Sequence, residues 1–155
     1  MNILKCEKDD ETIWIQLNRE FMDFEIQSNE AWNDTQKESD VVFRNTFREA
    51  FENPDLITLF LIEQDGEVIG FANLLTIFSI WSHGKALVLD DLYIREAFRG
   101  KGHGKEVIEY LLNYARDKGY KRLQFQSEFT NTGAAAFYRS IGFSSVEMHF
   151  YVKYL

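Results

Sequence analysis

The chain has 155 residues, 45% of them hydrophobic and 15% aromatic, which supports one compact core and excludes both a disordered chain and two domains of ordinary size. No run approaches the roughly 20 uncharged apolar residues that span a bilayer, and Met1 to Glu7 has neither the basic stretch nor the apolar run of a secretion signal, so a cytoplasmic protein with no membrane partner is expected. The net charge of -8 is uneven, with 6 Lys and Arg against 17 Asp and Glu in residues 1–70 and 11 against 8 in the rest, a balance that disfavours nucleic acid as a partner. It suits either a solvated acidic surface or a cationic ligand on one side and an anionic one on the other. Cys6 has no partner for an internal disulfide and no histidine nearby, and reads as a small apolar filler.

In chain order, Asp9 to Gln27 sets Ile13, Leu17, Phe21 and Phe24 at steps of three and four behind an acidic start, which predicts an amphipathic helix. Polar residues from Ser28 to Asp40 interrupt the pattern. Val42, Phe43, Thr46, Phe47, Ala50 and Phe51 restore a helical stripe that Asn53-Pro54 stops. Leu56 to Glu63 and Val68 to Ile80 read as antiparallel strands joined at Asp65-Gly66, and a turn at Ser82 to Lys85 leads into a buried strand, Ala86 to Ile94. A glycine-rich stretch then opens a helix carrying Val107, Ile108, Leu111, Leu112 and Ala115, which Gly119 ends. A strand at Arg122 to Gln126, a helix at Thr132 to Ile141 ended by Gly142, and an alternating segment from Val146 to Tyr154, read as a last strand, complete the pattern. The expected order is β-α-α-β-β-β-α-β-α-β: one α/β domain over residues 1–155, a mixed, partly parallel sheet flanked by helices.

The chemistry concentrates where strand passes to helix through Arg99-Gly100-Lys101-Gly102-His103-Gly104. Glycines let a backbone approach an anion closely, and the free N–H groups of a helix start point at it. No Lys-Ser or Lys-Thr follows, so this is not a P-loop, and the spacing is not that of the dinucleotide fingerprint. A tight turn with no ligand is the other reading of the hexapeptide taken alone. Asp90 and Asp91 are adjacent carboxylates in an otherwise apolar strand, where a buried charge costs several kcal/mol unless it is paired. On a regular strand they face opposite ways, so one faces a ligand or both sit at an exposed end. His83, His103 and His149 lack metal-ligand spacing, and no metal is assigned. Phe78, Trp81 and Tyr93 line either a pocket or the core.

The hexapeptide, the preceding Leu89-Asp90-Asp91-Leu92-Tyr93-Ile94, and the later Asn131, Ala136-Phe137-Tyr138 and Ile141-Gly142-Phe143 together resemble the GNAT superfamily of N-acetyltransferases. The resemblance covers about Leu56 to Leu155 and extends to the order of elements, implying the acyl-CoA N-acyltransferase fold. It implies acetyl-CoA as co-substrate, with its pyrophosphate on the amides of Arg99, Gly100, Lys101, Gly102, His103 and Gly104, and charge added by Lys101 or Lys105. The main chain of Leu92, Tyr93 and Ile94 would hold the pantetheine and acetyl carbonyl, beside a bulge the family commonly has in this strand; Asn131 would meet the pantetheine or the acceptor side. Tyr138 would protonate the departing thiolate, or else be a packing tyrosine. Asp90 would bind or deprotonate the acceptor ammonium, as in the diamine branch the strand resembles. The acceptor so implied is a small cationic amine, polyamine-like first, an aminoglycoside second and a protein amino group third. A sensor that binds acyl-CoA without turnover and an interaction protein keeping only the fold are the rivals. A homodimer is the family-level expectation, with the last strand offering an edge.

Overall fold

The computed structural model describes residues 1–28, 39–127, 132–149, 151 and 153. They fall into two compact units, Met1–Phe125 and Gln126–Leu155.

The first unit opens with a short strand, β1 (Asn2–Lys5), and a 3-10 turn, Lys8–Asp10, closed by the Glu7 N–H donating to the Asp10 carboxylate at 2.8 Å. Helices α1 (Glu11–Ser28) and α2 (Asp40–Glu52) follow. The strands are β2 (Ile57–Gln64), β3 (Glu67–Ser79) and β4 (Gly84–Ile94), then helix α3 (His103–Asp117) and strand β5 (Arg122–Phe125). The sheet order is β1-β2-β3-β4-β5, antiparallel except for β4 with β5, which is the mixed sheet the sequence implied. Asp65 and Gly66 take φ of 53° and 82°, the left-handed pair a two-residue hairpin needs between β2 and β3.

Side chains alternate across the sheet. Leu59, Leu61, Phe71 and Tyr93 join Trp14, Ile15, Leu17, Phe43 and Phe47 of α1 and α2 in one cluster. Phe60 turns to the other face, its ring set edge-on against Tyr110 and Tyr114 of α3 at 5.7 and 5.4 Å. Cys6 is buried in the first cluster, and burial pushes its thiol up to about 12, in keeping with a filler. The chain leaves α3 through Gly119 at φ 73°, with the Tyr120 and Gly119 N–H groups donating to the Ala115 and Arg116 carbonyls, a left-handed cap that the glycine makes possible.

The second unit contains helix α4 (Thr132–Ser140). It ends with the same pattern at Gly142, where φ is 94° and the Phe143 and Gly142 N–H groups donate to the Tyr138 and Arg139 carbonyls. The alternating segment after it is a correction to the sequence reading: Phe143 to His149 forms no strand, with Val146 77% and Met148 83% exposed. Alternation marks a segment that can serve as a strand, but a strand needs a hydrogen-bonding neighbour, which these residues lack among those described. Phe150, Val152 and Tyr154 lie outside the described residues.

Candidate active site

β3 and β4 change register between Asn73 and Leu74: Asn73 faces Asp91, and Leu74 faces Leu89. Asp90 is therefore the extra residue of a β-bulge in β4, the feature the family resemblance implied. The bulge lies where, among the described residues, pairing of β4 with β5 ends, at Leu89 opposite Phe125. Beyond it the Arg95 N–H donates to the Ile69 carbonyl at 2.9 Å. The alternation of an antiparallel ladder then turns the main-chain groups of Asp91 and Tyr93 toward β3 and those of Leu92 and Ile94 away from it. Among the described residues, Leu92 and the Ile94 N–H thus present a short polar edge able to bond an extended ligand as an added strand would, the Ile94 carbonyl being taken by the Arg99 side chain. Of the three residues expected to do this, Tyr93 differs. Its main chain serves the ladder, and its ring packs on Phe21 and Phe71 at 5.8 and 6.0 Å.

The loop that follows supplies the anion end. After a 3-10 turn at Glu96–Phe98, Gly100 and Gly102 take φ of 74° and 89°, and Gly102 caps α3 with no side-chain hydrogen bond. The first intrahelical bond of α3 is the Glu106 N–H to the Gly102 carbonyl, at 3.2 Å. The N–H groups of His103 and Gly104 precede it, in the first turn, where a helix leaves donors without intrahelical acceptors. Nothing lies within 4 Å of where a Cβ would stand at Gly100, Gly102 or Gly104. A concave run of N–H donors at the positive end of a helix is what a pyrophosphate needs, and the residues present fit one.

The expected cations are arranged differently. The Arg99 side chain donates to the Ile94 carbonyl at 2.7 Å and lies over the Phe24 ring at 4.2 Å, so it braces the loop against β4 and α1. Lys101 donates to the Ala97 carbonyl at 2.9 Å, and Lys105 lies 3.9 Å from Glu109, one turn along α3. The His103 side chain is tucked in, 12% exposed, its Nδ1 without a hydrogen-bond partner among the described residues and 3.8 Å from Glu106.

At the bulge, Asp90 is exposed, and partial desolvation raises its carboxyl. Asp91 turns toward α1 and accepts from the Asn73 side chain at 2.9 Å. Burial pushes Asp91 up to about 6; the Asn73 bond opposes this, while the charges of Asp90 and Glu25 add to it. α1 is held over this point by Glu20, whose carboxylate takes two bonds from Arg95, at 2.8 and 2.9 Å, and is lowered by them. Sequence reading missed Asn73, Trp14, Asn18 and Glu25, which approach Asp91 only through folding.

Phe78 and Trp81 do not join Tyr93 in a pocket: they are 70% and 90% exposed at the far end of the hairpin, and Tyr93 is core. An open hollow of about 360 Å³ lies instead at the β1 edge, lined by Met1, Asn2, Ile3, Leu4, Glu106 and Tyr110. In the second unit, Tyr138 is half-buried, its ring near Phe137 at 5.4 Å and Phe143 at 6.2 Å, and desolvation raises its hydroxyl. Asn131 lies outside the described residues.

Comparison with known proteins agrees with the fold. The uncharacterised N-acetyltransferase YhfO of Bacillus subtilis (strain 168) is 34% identical over 92 residues, 59% of this chain and 61% of that one. Streptothricin acetyltransferase of Streptomyces lavendulae is 29% identical over 93 residues, 60% of this chain and 47% of that one, so the matched region spans about half the length of these relatives. A crystal structure of a probable acetyltransferase shares the fold at a TM-score of 0.78 and 19% identity, covering 100% of this chain and 98% of the other. The model of the acetyltransferase (GNAT) family matches residues 14–143, and the chain belongs to that family.

Proposed function

We propose that this protein transfers an acetyl group from acetyl-CoA to a primary amine of a small cationic acceptor, polyamine-like in charge. The observation that carries the reading is the continuity of two elements: the edge formed by Leu92 and the Ile94 N–H, turned away from β3, is followed after the Glu96–Phe98 turn by the glycine-lined start of α3. A thioester carried by a long, amide-bearing, pyrophosphate-ended molecule matches both. The amides of residues 100–104 hold the pyrophosphate, the Arg99 N–H being taken by the Glu96 carbonyl at 3.0 Å, Lys101 and Lys105 add charge, and Leu92 and Ile94 hold the pantetheine and acetyl carbonyl. An N–H beyond the bulge then stabilises the oxyanion as the carbonyl is attacked. Asn131 keeps its assignment to the pantetheine or acceptor side.

Asp90, exposed at the bulge, pairs with the acceptor ammonium. Tyr138 protonates the departing thiolate; its raised hydroxyl keeps the proton available at neutral pH. The acidic first 70 residues attract the acceptor, and the likeness to a streptothricin acetyltransferase brings streptothricin itself into the test panel beside polyamines and aminoglycosides. The same reading places the protein in the cytoplasm as a homodimer, which light scattering across concentrations tests: a strict monomer removes the dimer.

The test of the reaction is release of free thiol from acetyl-CoA in the presence of polyamines, aminoglycosides, streptothricin and a lysine peptide. Turnover with small polycations and not with the peptide supports the reading. Preference for the peptide replaces the acceptor class, and acetyl-CoA binding with no thiol release from any amine favours the acyl-CoA sensor.

A further inference from the structure

Behind the bulge, three buried side chains and the Trp14 main-chain carbonyl form a closed ring of hydrogen bonds. The Trp14 indole N–H donates to the Asn73 side-chain oxygen at 3.1 Å, one Asn73 N–H reaches the Asn18 side-chain oxygen at 3.4 Å, and the Asn18 amide donates to the Trp14 carbonyl at 2.7 Å. Trp14, Asn18 and Asn73 are 4%, 5% and 8% exposed. An indole N–H can only donate, so it fixes which end of the Asn73 amide is oxygen, and the amide NH2 must face the other way. That NH2 has two hydrogens. One closes the ring on Asn18, and the other is directed at Asp91, on the register pair where the bulge begins.

Burying four polar groups between a helix and a sheet is costly unless every one is satisfied, and an apolar pair at 14 and 73 would pack the same space more simply. The ring therefore has a purpose beyond packing. It delivers a single N–H to one oxygen of Asp91, keeping that oxygen an acceptor and leaving the carboxylate's other oxygen for a second partner.

We propose that Asn73, locked by Trp14 and Asn18, is a positioning residue for Asp91, and that Asp91 takes the proton from the acceptor's ammonium. This rests on the acetyl-transfer reading. The roles divide between the neighbouring carboxylates: exposed Asp90 pairs with the incoming cation, and Asp91 accepts its proton. The ammonium N–H bond breaks as an Asp91 O–H bond forms; the freed nitrogen pair attacks the thioester carbonyl, and the C–S bond breaks with its electrons on sulfur. The thiolate takes the Tyr138 proton, the amide nitrogen's surplus proton restores Tyr138, and the Asp91 proton goes to water. The charged groups acting on Asp91 are Asp90 on β4 and Glu25 on α1, both anionic; both raise its affinity for a proton, as does burial, and the Asn73 bond alone opposes them.

The test compares wild type, Asn73→Leu, Trp14→Phe and Asp91→Asn in kcat/KM against pH, with carboxyl-carbon NMR titration of Asp91 in the same proteins. Trp14→Phe removes the donor and part of the indole while keeping an aromatic side chain in the core, so it serves if Asn73→Leu fails to fold. The proposal expects an acidic limb in wild type that moves to higher pH in both variants, by half a pH unit or more, in activity and NMR alike. It also expects KM for acetyl-CoA to change less than twofold, and Asp91→Asn to lose the limb with at least a hundredfold in kcat. An active enzyme whose Asp91 titration is unmoved in both variants overturns the positioning role, and a limb that survives Asp91→Asn overturns the proton transfer. If wild type acetylates no amine, the acetyl-transfer reading and the catalytic part fall together, while the NMR titration still decides whether Asn73 controls Asp91.

Discussion

Replacing Asp91 with Asn should make the protein more stable at neutral pH. The native carboxyl is pushed from the ordinary 3.8 up to about 6, mainly by burial. At about 1.4 kcal/mol per pH unit, that gap corresponds to roughly 3 kcal/mol, and solvent at the partly exposed side chain trims it to about 2–3 kcal/mol. The sign follows from which state holds the proton. Below pH 4 both folded and unfolded chains hold it, and the full stability is present. As pH rises through the native value, the unfolded chain has already ionised and the native one must follow, so the contribution is lost. An Asn at 91 never ionises and still accepts the Asn73 N–H through its carbonyl oxygen. Urea unfolding followed by circular dichroism at pH 4 and pH 7.5 should therefore give nearly equal stabilities at pH 4 and a gain of about 2–3 kcal/mol for Asp91→Asn at pH 7.5. A difference independent of pH, or a variant less stable than wild type at pH 7.5, would refute the claim that the fold holds this carboxylate at a cost.

Other changes test the scaffold and the chemistry. Gly70→Ala would set a Cβ 2.2 Å from the Tyr93 carbonyl oxygen, so the thermal midpoint should fall in keeping with a loss of about 2–3 kcal/mol. Glu20→Gln removes the two-point bond from Arg95 to α1, leaves a partly buried guanidinium half-paired, and should cost on the order of 2 kcal/mol in chemical unfolding. Cys6, with its thiol pushed up to about 12 and buried, should resist a thiol reagent at pH 8 until urea unfolds the chain. Tyr138→Phe should lower kcat by roughly a hundredfold while leaving KM for acetyl-CoA unchanged, measured by thiol release.

What the sequence discloses and what it hides follow from the range of the interactions. Gly100, Gly102, Gly119 and Gly142 all adopt left-handed φ, a local requirement that few other residues meet, which is why the loop and both helix ends are legible. The Asp65-Gly66 hairpin is legible for the same reason. The elements differ from expectation at their ends: α1 begins at Glu11 because Lys8–Asp10 is a tighter 3-10 turn, and α2 begins at Asp40, two residues earlier than its apolar stripe. By contrast, the bulge at Asp90 depends on register with β3, and the ring around Asn73 joins residues 55 and 59 apart in sequence. No periodicity carries that information. A pair of adjacent aspartates signals that something unusual happens in β4; that the half-buried, hydrogen-bonded one is Asp91 required the fold. The final segment shows the converse, since its alternation was legible but its pairing was not.

The central claim is that the open edge of β4 and the start of α3 bind acetyl-CoA. It is tested most directly by calorimetric titration of the protein with acetyl-CoA beside a Gly104→Glu variant. Gly104 has no positive φ, and nothing stands within 4 Å of its Cβ position, so a glutamate fits the fold while placing bulk and negative charge among the donors. The account predicts binding by wild type and a loss on the order of a hundredfold, about 2.7 kcal/mol, in a variant of unchanged stability. Equal affinity in the two proteins, or no binding by wild type, would contradict it.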